Sequence, residues 1–381
     1  MGGRVVAALA LCAGLVASCT SGGAPGPTTG SSSSAPIPTG TSFEPGPTTG
    51  SRAAATPSAG EPSPAPPGGE IAFHSDPGGN DDTYLMRADG TRAEPLTFRV
   101  ETVAQPVWSP DGSRLAVECC SFSQDEVMVM NADGSDRRVV TGGVPDASSP
   151  AWSPDGRRIA FESVSKRSLY VVDVAAGGRP SRLTSGAGPS WSPDGTRIAF
   201  FRRAGGNTDV FVLEVASGRV RRLTTSAGDD VSPAWSPDGR HIAFVSDRDG
   251  DEDVWVMAAD GSGRTDVSQD DNPDEGFTWS PDGRRLAFVD YRGGADPHSI
   301  GIGDAEVMVV NADGSGLADV TDSSAWEGDP AWSPDGTLLA FTRRTNHAEV
   351  VTIRPDGTGE RVLAGVEGEA NDCCAAWRPG R

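Results

Sequence analysis

An eleven-residue phrase recurs along the chain with small changes, and this repetition constrains the fold more than any other feature. It reads AWSPDGRRIAF at residues 151–161. Its first half occurs six times, at Trp108, Trp152, Trp191, Trp235, Trp279 and Trp332, with a shortened copy at Trp377. Its second half, Ile/Leu-Ala-Phe/Val, begins seven times, at residues 71, 115, 159, 198, 242, 286 and 339. A period near 44 residues is typical of the blades of a propeller, which stack as supersecondary units.

Each repeat divides into four short strands. In the copy that begins at Ser232, SPAWS is followed by the turn PDG, the strand RHIAFVS, a loop, the strand DVWVMAA, a second turn and the strand RTDVS. The second and third strands are apolar on both faces, so their sheet needs a neighbour on each side. Radial stacking supplies those neighbours. We therefore predict an all-β fold, a seven-bladed propeller of four-stranded antiparallel blades over residues 70–381.

The ends of this region predict how the ring closes. The chain enters on a second strand, residues 70–75, and ends with a lone first strand, residues 374–378. We expect the C-terminal strand to complete the N-terminal blade, which leaves no free sheet edge.

The repeated phrase is interpreted as structural because chemistry needed once would not recur in every blade. In Ser-Pro-Asp-Gly, proline presets φ, aspartate can bond its own backbone, and glycine takes the left-handed position of the turn. The tryptophan before it is a large apolar anchor suited to packing between blades. The structural tryptophans are Trp108, Trp152, Trp191, Trp235, Trp279, Trp332 and Trp377.

W-S-P-D-G followed by I-A-F resembles the TolB-type, WD-repeat-like β-propeller, which also occurs in relatives of prolyl oligopeptidase. The resemblance covers residues 70–381 and implies a propeller fold. TolB carries an additional N-terminal α/β domain and the peptidase relatives carry an α/β-hydrolase domain. This chain has neither pattern, which directs attention to binding rather than peptidase chemistry.

The first 69 residues differ from the rest in composition. Arg4 precedes an apolar stretch, residues 5–16, that is too short to span a bilayer, so residues 1–18 are predicted to be a signal peptide. Its end, LVASC, resembles the bacterial lipobox, which implies lipidation of Cys19. The alternative is an ordinary signal peptide with an incidental cysteine. Residues 19–69, rich in Pro, Ser, Thr and Gly, are predicted to form a disordered tether. These features predict an extracytoplasmic lipoprotein anchored to the cell membrane.

The formal net charge is −21, and it falls on residues 70–381. Such a negative charge disfavours nucleic acid as a binding partner and favours cations or basic polypeptides. The loops that join second to third strands, and one blade to the next, share one face and are acidic. We expect a monomeric head that binds a protein or cationic peptide of the cell envelope there, with the lipid anchor as its one membrane contact. The residues of this acidic face are Asp81, Asp82, Asp229, Asp230, Asp270, Asp271, Asp274, Asp329 and Asp372.

A metal site and an enzyme are the alternatives to a pure binding surface. Asp247, Asp249, Asp251 and Asp253 alternate in a loop and could supply oxygen ligands to calcium, although the spacing is not that of an EF-hand and a solvated turn has the same pattern. A longer loop, residues 291–304, is either functional or a tolerated insertion. His74, His298 and His347 lie near the acidic face. A metal-dependent lyase or hydrolase acting on envelope glycans therefore stays open, with no catalytic residue assigned.

Four cysteines remain after the signal region, in the adjacent pairs Cys119–Cys120 and Cys373–Cys374. An exported setting is oxidising, and the two pairs should lie in neighbouring blades. Bonds within a pair would be strained, so we predict at least one disulfide between the pairs. Metal binding is the rival, although the CxxC spacing of zinc sites is missing.

Overall fold

The computed structural model describes residues 69–76, 82–97, 103–121, 124–175, 177–292, 304–363 and 371–380. The predicted signal peptide, Cys19 and the predicted tether before Gly69 lie outside these ranges, as do Asp81 and His298. All secondary structure in the described ranges is β-strand, and no helix there is long and apolar enough to cross a bilayer.

The strands follow one another in groups of four, which we call units, except that the first unit takes three consecutive strands and the C-terminal strand. The first three groups contain β1(Glu70–Ser75), β2(Asp82–Arg87), β3(Glu94–Pro95), then β4(Val103–Trp108), β5(Arg114–Ser121), β6(Gln124–Asn131), β7(Arg138–Val139), then β8(Ala147–Trp152), β9(Arg158–Ser163), β10(Ser168–Asp173), β11(Ser181–Ser185). The next two contain β12(Ala187–Trp191), β13(Arg197–Ala204), β14(Asn207–Glu214), β15(Val220–Arg222), then β16(Asp230–Trp235), β17(His241–Ser246), β18(Asp253–Ala258), β19(Thr265–Asp266). The last strands are β20(Asp274–Trp279), β21(Arg285–Arg292), β22(Asp304–Asn311), β23(Ala318–Asp319), then β24(Trp326–Trp332), β25(Leu339–Arg344), β26(Ala348–Ile353), β27(Arg361–Val362), and finally β28(Asp372–Trp377).

Within a unit the strands pair antiparallel in chain order. One four-stranded sheet has the order β28-β1-β2-β3, so the C-terminal strand pairs with the N-terminal one, with Ile71 opposite Trp377. The units β20–β23 and β24–β27 are joined by a single parallel pairing, Ala305 with Trp326, and are therefore one eight-stranded sheet. The other units are separate four-stranded sheets.

The Ser-Pro-Asp-Gly turn holds the first hairpin of a unit through side chains. At residues 153–156, the Ser153 hydroxyl donates to Asp155 Oδ1 over 2.5 Å, and the same carboxylate accepts the backbone N–H of Arg157. Gly156 takes a φ of 65°, the left-handed conformation that glycine adopts without a Cβ penalty. The serine hydroxyl bonds the aspartate at 2.5–2.7 Å in all six full copies of the turn. The repeated letters thus specify backbone shape.

The tryptophans of the phrase pack between units and are 6–8% exposed. Most of them donate the indole N–H to a backbone carbonyl of the preceding unit, and Trp152 bonds Val107 over 3.0 Å in this way. Trp108 reaches the Ala376 carbonyl of β28, and Trp377 on β28 reaches that of Ala331. The same contact therefore links β4 to β28 and β28 to β24. Trp235 differs, since its indole nitrogen has no partner in the described chain.

Candidate functional site

The structure separates the predicted acidic face into buried and accessible carboxylates. Asp82, Asp230, Asp274, Asp329 and Asp372 are each 9% exposed or less. Asp82, for example, accepts a hydrogen bond from Thr97 over 2.8 Å. These five offer almost no surface to a polypeptide, so the expectation that they form a contact surface is corrected. Four of them are the first residue of a strand, where the backbone pairing draws them into the sheet, and Asp329 lies in the middle of β24.

A group of accessible carboxylates of this face comes from the loops beside β16, β18 and β20. We call them the acidic rim, and Asp249 and Asp271 are its exposed members, while Asp229, Asp247 and Asp270 are half-buried. The nearby arginines Arg248 and Arg292 are already engaged with carboxylates of their own units. The rim therefore presents negative charge that the adjacent arginines do not neutralise.

The unit β16–β19, which we call the Asp230 unit, shows how one of these sheets stabilises a buried carboxylate. Asp230 is 0% exposed, and Ser226 donates to its Oδ2 over 2.8 Å. Ser246 and Arg248 donate to Oδ1 over 2.5 and 2.7 Å. The Arg248 guanidinium also lies 4.2 Å from the centre of the Trp255 ring. The charge of Asp230 is thus matched by a cation and two hydroxyls.

The following unit, β20–β23, which we call the Asp274 unit, has the same architecture and different chemistry. Asp274 is also 0% exposed, yet neither of its carboxylate oxygens has a hydrogen-bond partner among the described residues. One carboxylate oxygen from each of Asp270, Asp274 and Asp290 lies within 4.8 Å of the others. Burial, with the nearby charge of Asp270 adding to it, raises the pKa of Asp274 to about 9, and the nearby Ser268 hydroxyl opposes this rise only in part.

The arginine of this unit is directed elsewhere. Arg292 Nε bonds Oδ2 of Asp290 over 3.3 Å, and its terminal nitrogen bonds Asp319. The other oxygen of Asp290, Oδ1, is buried and has no partner in the described chain. We call Asp270, Asp274 and Asp290 the tricarboxylate cluster.

A second group of carboxylates lies beside the first. Oxygens of Asp249, Asp253 and Asp266 approach one another within 4.8 Å. Burial is the main cause that raises the pKa of Asp253 to about 8, and Asp266 adds to it. This group contains hydrogen-bond donors, because Ser268 donates to Asp253 and Asp266 over 3.3 Å in each case.

The structure brings together two of the four residues predicted to bind calcium. Asp249 and Asp253 share the second group, whereas Asp247 and Asp251 are in neither group. Asp247 instead accepts the backbone N–H of Asp229 over 2.5 Å, which fixes the loop. The sequence interpretation missed Asp266 and Asp290. Aligning consecutive units would have found both, because 44 residues earlier these positions hold Arg222 and Ser246.

The two described histidines of the enzyme alternative lie in different settings. His74 is 4% exposed on β1, and burial lowers its pKa to about 4. His347 lies in the turn after β25, where its Nε2 is 3.1 Å from Glu349. Neither belongs to a group of metal-ligating side chains within the described ranges. Most of the longer loop, residues 293–303, and its His298 fall outside them.

The predicted disulfide candidates behave differently from one another. Cys373 is disulfide-bonded, while Cys119 and Cys374 are free, buried thiols. The prediction that Cys119 and Cys374 are candidates for a disulfide is therefore wrong. Cys374 occupies a left-handed conformation, with a φ of 59°, where the pairing of β28 with β1 shifts register. The side chain of Cys120 lies outside the description, so a Cys120–Cys373 bond stays a prediction.

Antiparallel four-stranded units with a tryptophan at each junction and acidic loops at one end define a β-propeller. The model of the TolB beta propeller domain matches residues 118–381. The chain therefore belongs to the TolB β-propeller family. A search of the curated proteins finds no match.

Several solved structures share this fold. The crystal structure of TolB from Acinetobacter baumannii is 19% identical, covers 81% of this chain and 82% of its own, and has a TM-score of 0.51. A putative TolB from Agrobacterium tumefaciens is 23% identical, with coverages of 70% and 95% and a TM-score of 0.53. An oligogalacturonate lyase from Vibrio parahaemolyticus is 14% identical, with coverages of 79% and 89% and a TM-score of 0.54. At these identities the likeness shows the fold alone.

Proposed function

We propose that this TolB-like propeller is an extracytoplasmic, lipid-anchored scaffold that binds a basic polypeptide segment of the cell envelope through its acidic rim. The observation that carries the proposal is the rim itself. Five carboxylates from three neighbouring loops are exposed or half-buried at one end of the sheets, and Arg248 and Arg292 are turned toward Asp230 and toward Asp290 and Asp319. A negatively charged surface attracts a positively charged segment and accelerates its association.

The proposal includes a ring of seven four-stranded blades, closed by the pairing of β28 with β1. Support comes from the strand order β28-β1-β2-β3 and from the indole contacts of Trp108 and Trp377, which join β28 to the units on both sides. An experimental structure with six or eight sectors, or with β28 unpaired, would overturn this part.

The lipid anchor is proposed from the sequence alone. Metabolic labelling with a palmitate analogue should modify the native chain and leave Cys19→Ala unlabelled. Equal labelling of both chains would remove the anchor from the proposal.

Binding through the rim can be tested with a defined probe, a fluorescein-labelled octa-arginine peptide. We expect its affinity for the full chain to fall steeply between low and physiological salt. The triple variant Asp229→Asn, Asp249→Asn, Asp271→Asn should weaken binding several-fold because it removes three rim charges and keeps side-chain volume.

A matched control removes the same number of charges from the opposite face. Asp133, Asp260 and Asp313 are exposed in tight turns, where Oδ1 accepts a backbone N–H that asparagine can also accept. Their triple asparagine variant should bind octa-arginine nearly as the native chain does. Equal loss in both triple variants would indicate a net-charge effect and would contradict binding at the rim.

A further inference from the structure

The tricarboxylate cluster differs from the Asp230 site at the positions that neutralise the buried carboxylate. Trp235 and Trp279 are 44 residues apart, and the same offset relates Asp230 to Asp274. It also relates Ser226 to Asp270 and Ser246 to Asp290. Both hydroxyl donors of the first unit are therefore carboxylates in the second.

These two replacements remove donors and add acceptors. An ionised carboxylate accepts hydrogen bonds and cannot donate them, so ionised Asp270 and Asp290 cannot donate to Asp274 as the serines donate to Asp230. Arg292 stands 44 residues after Arg248, but it bonds Asp290 and Asp319 instead of Asp274. Asp274 is consequently a fully buried side chain with two unpartnered oxygens that face two more carboxylates.

The oxygens have the spacing that a hard cation requires. Calcium binds protein oxygens at about 2.3–2.6 Å, so two ligands of one ion can be up to about 5 Å apart. The three oxygens of the cluster lie within 4.8 Å of one another. The three carboxylates come from the loop before β20, from the start of β20 and from near the end of β21, which gives ligands from three separate segments.

The geometry points to a calcium-binding site formed by Asp270, Asp274 and Asp290. The ion supplies the positive charge that Arg248 supplies to Asp230, and it ties the loop before β20 to the β20–β21 hairpin. Calcium is favoured over magnesium because two buried carboxylates and the half-buried Asp270 leave little room for the several waters that magnesium retains. The neighbouring group of Asp249, Asp253 and Asp266 is not assigned an ion, since Ser268 already donates to two of its members. This inference does not rest on the proposed function.

Calcium titration of the chelator-treated full chain by isothermal calorimetry tests the site. We expect saturable calcium binding by the native chain. In Asp274→Asn, one of the ions bound per chain should be lost, or its affinity should fall at least about tenfold. The double variant Asp270→Ser, Asp290→Ser recreates the surroundings of Asp230 and should also lose that ion. Thermal unfolding checks that both variants fold.

Two controls locate the ion. Asp230→Asn alters the equivalent buried carboxylate and should change calcium affinity by less than about twofold. Asp253→Asn should leave the site intact, and loss of the ion in this variant alone would move the site to the second group and overturn the assignment. No binding at millimolar calcium, binding unaltered in Asp274→Asn, or magnesium binding of equal affinity would each overturn it as well.

Discussion

The Asp230 unit and the Asp274 unit are consecutive copies of one pattern, and they treat the same buried carboxylate in opposite ways. In the first, Asp230 receives hydrogen bonds from Ser226, Ser246 and Arg248. In the second, Asp274 receives none among the described residues. The backbone, the burial and the flanking turn are alike, so the difference comes from the side chains at the equivalent positions. A repeat can thus keep its shape while the buried carboxylate of one copy loses its internal partners and depends on an external charge.

Removal of the arginine from the first unit should have the largest effect. Arg248→Met leaves Asp230 buried without its cation, and breaking a buried ion pair costs about 3–5 kcal/mol of unfolding free energy. Arg292→Met should cost less, about 1–2 kcal/mol, because the Arg292 side chain is 33% exposed, although the change leaves the buried Asp290 without its cation. Urea denaturation measures both, and similar losses would mean that the two arginines have the same role.

The asparagine variants of the two buried aspartates should change stability with opposite signs in the presence of a chelator. Asp230→Asn weakens a charge-assisted set of hydrogen bonds and should cost about 1–3 kcal/mol. Asp274→Asn removes a buried carboxyl group that has to hold a proton at this pH, and it should gain on the order of 1–2 kcal/mol. Chemical denaturation at pH 8 compares them, and destabilisation by Asp274→Asn would show that this carboxylate has a partner.

The raised pKa of Asp274 predicts a dependence of stability on pH. With a folded pKa of about 9 and an ordinary value near 4 in the unfolded chain, the folded state retains a proton that the unfolded state has lost. Stability is therefore lost as the pH rises across this window. Between pH 6 and pH 8, with chelator present, the native chain should lose about 2–3 kcal/mol more than Asp274→Asn does. Parallel pH profiles of unfolding free energy for the two chains would contradict the raised pKa of Asp274.

The smallest effect concerns the second group of carboxylates. Asp253 lies 44 residues after Asp209, and Asp266 replaces Arg222, which bonds Asp209 over 2.5 Å. Asp266→Asn keeps an oxygen for the backbone N–H of Ser268 and removes one repelling charge, so a gain of about 0.5 kcal/mol is expected. Asp319→Asn should instead lose a similar amount because it weakens the contact with Arg292. Thermal melting curves of the two variants, each compared with the native chain, test whether the two changes in stability have opposite signs.

The sequence predicted the repeating architecture because the information there is local and redundant. The turn residues and the apolar pattern of β17 and β18 dictate a hairpin without reference to the rest of the chain. The coarse location of the acidic loops followed from the same pattern, since all loops of one kind leave a sheet at the same end.

Burial at strand ends was not predictable by inspection of the loops alone. Asp82 and Asp372 were assigned to a surface because they lie beside turns, whereas pairing extends to these residues and encloses them. Asp290 was missed because it follows the apolar run LAFV within β21, and it becomes informative only when it is compared with Ser246 one unit earlier. A periodic search for calcium ligands within one loop could not find ligands that come from three segments.

The indole contact between units has a consequence for how such chains change in length. Each junction that uses it needs one donor from a tryptophan and one carbonyl from the adjoining strand, and every unit carries both. Duplication or deletion of a whole unit would create a junction of the same chemistry as the ones it replaced. This contact does not by itself specify which unit must follow which, so gene-level expansion or contraction of the array could reuse it at the new junction.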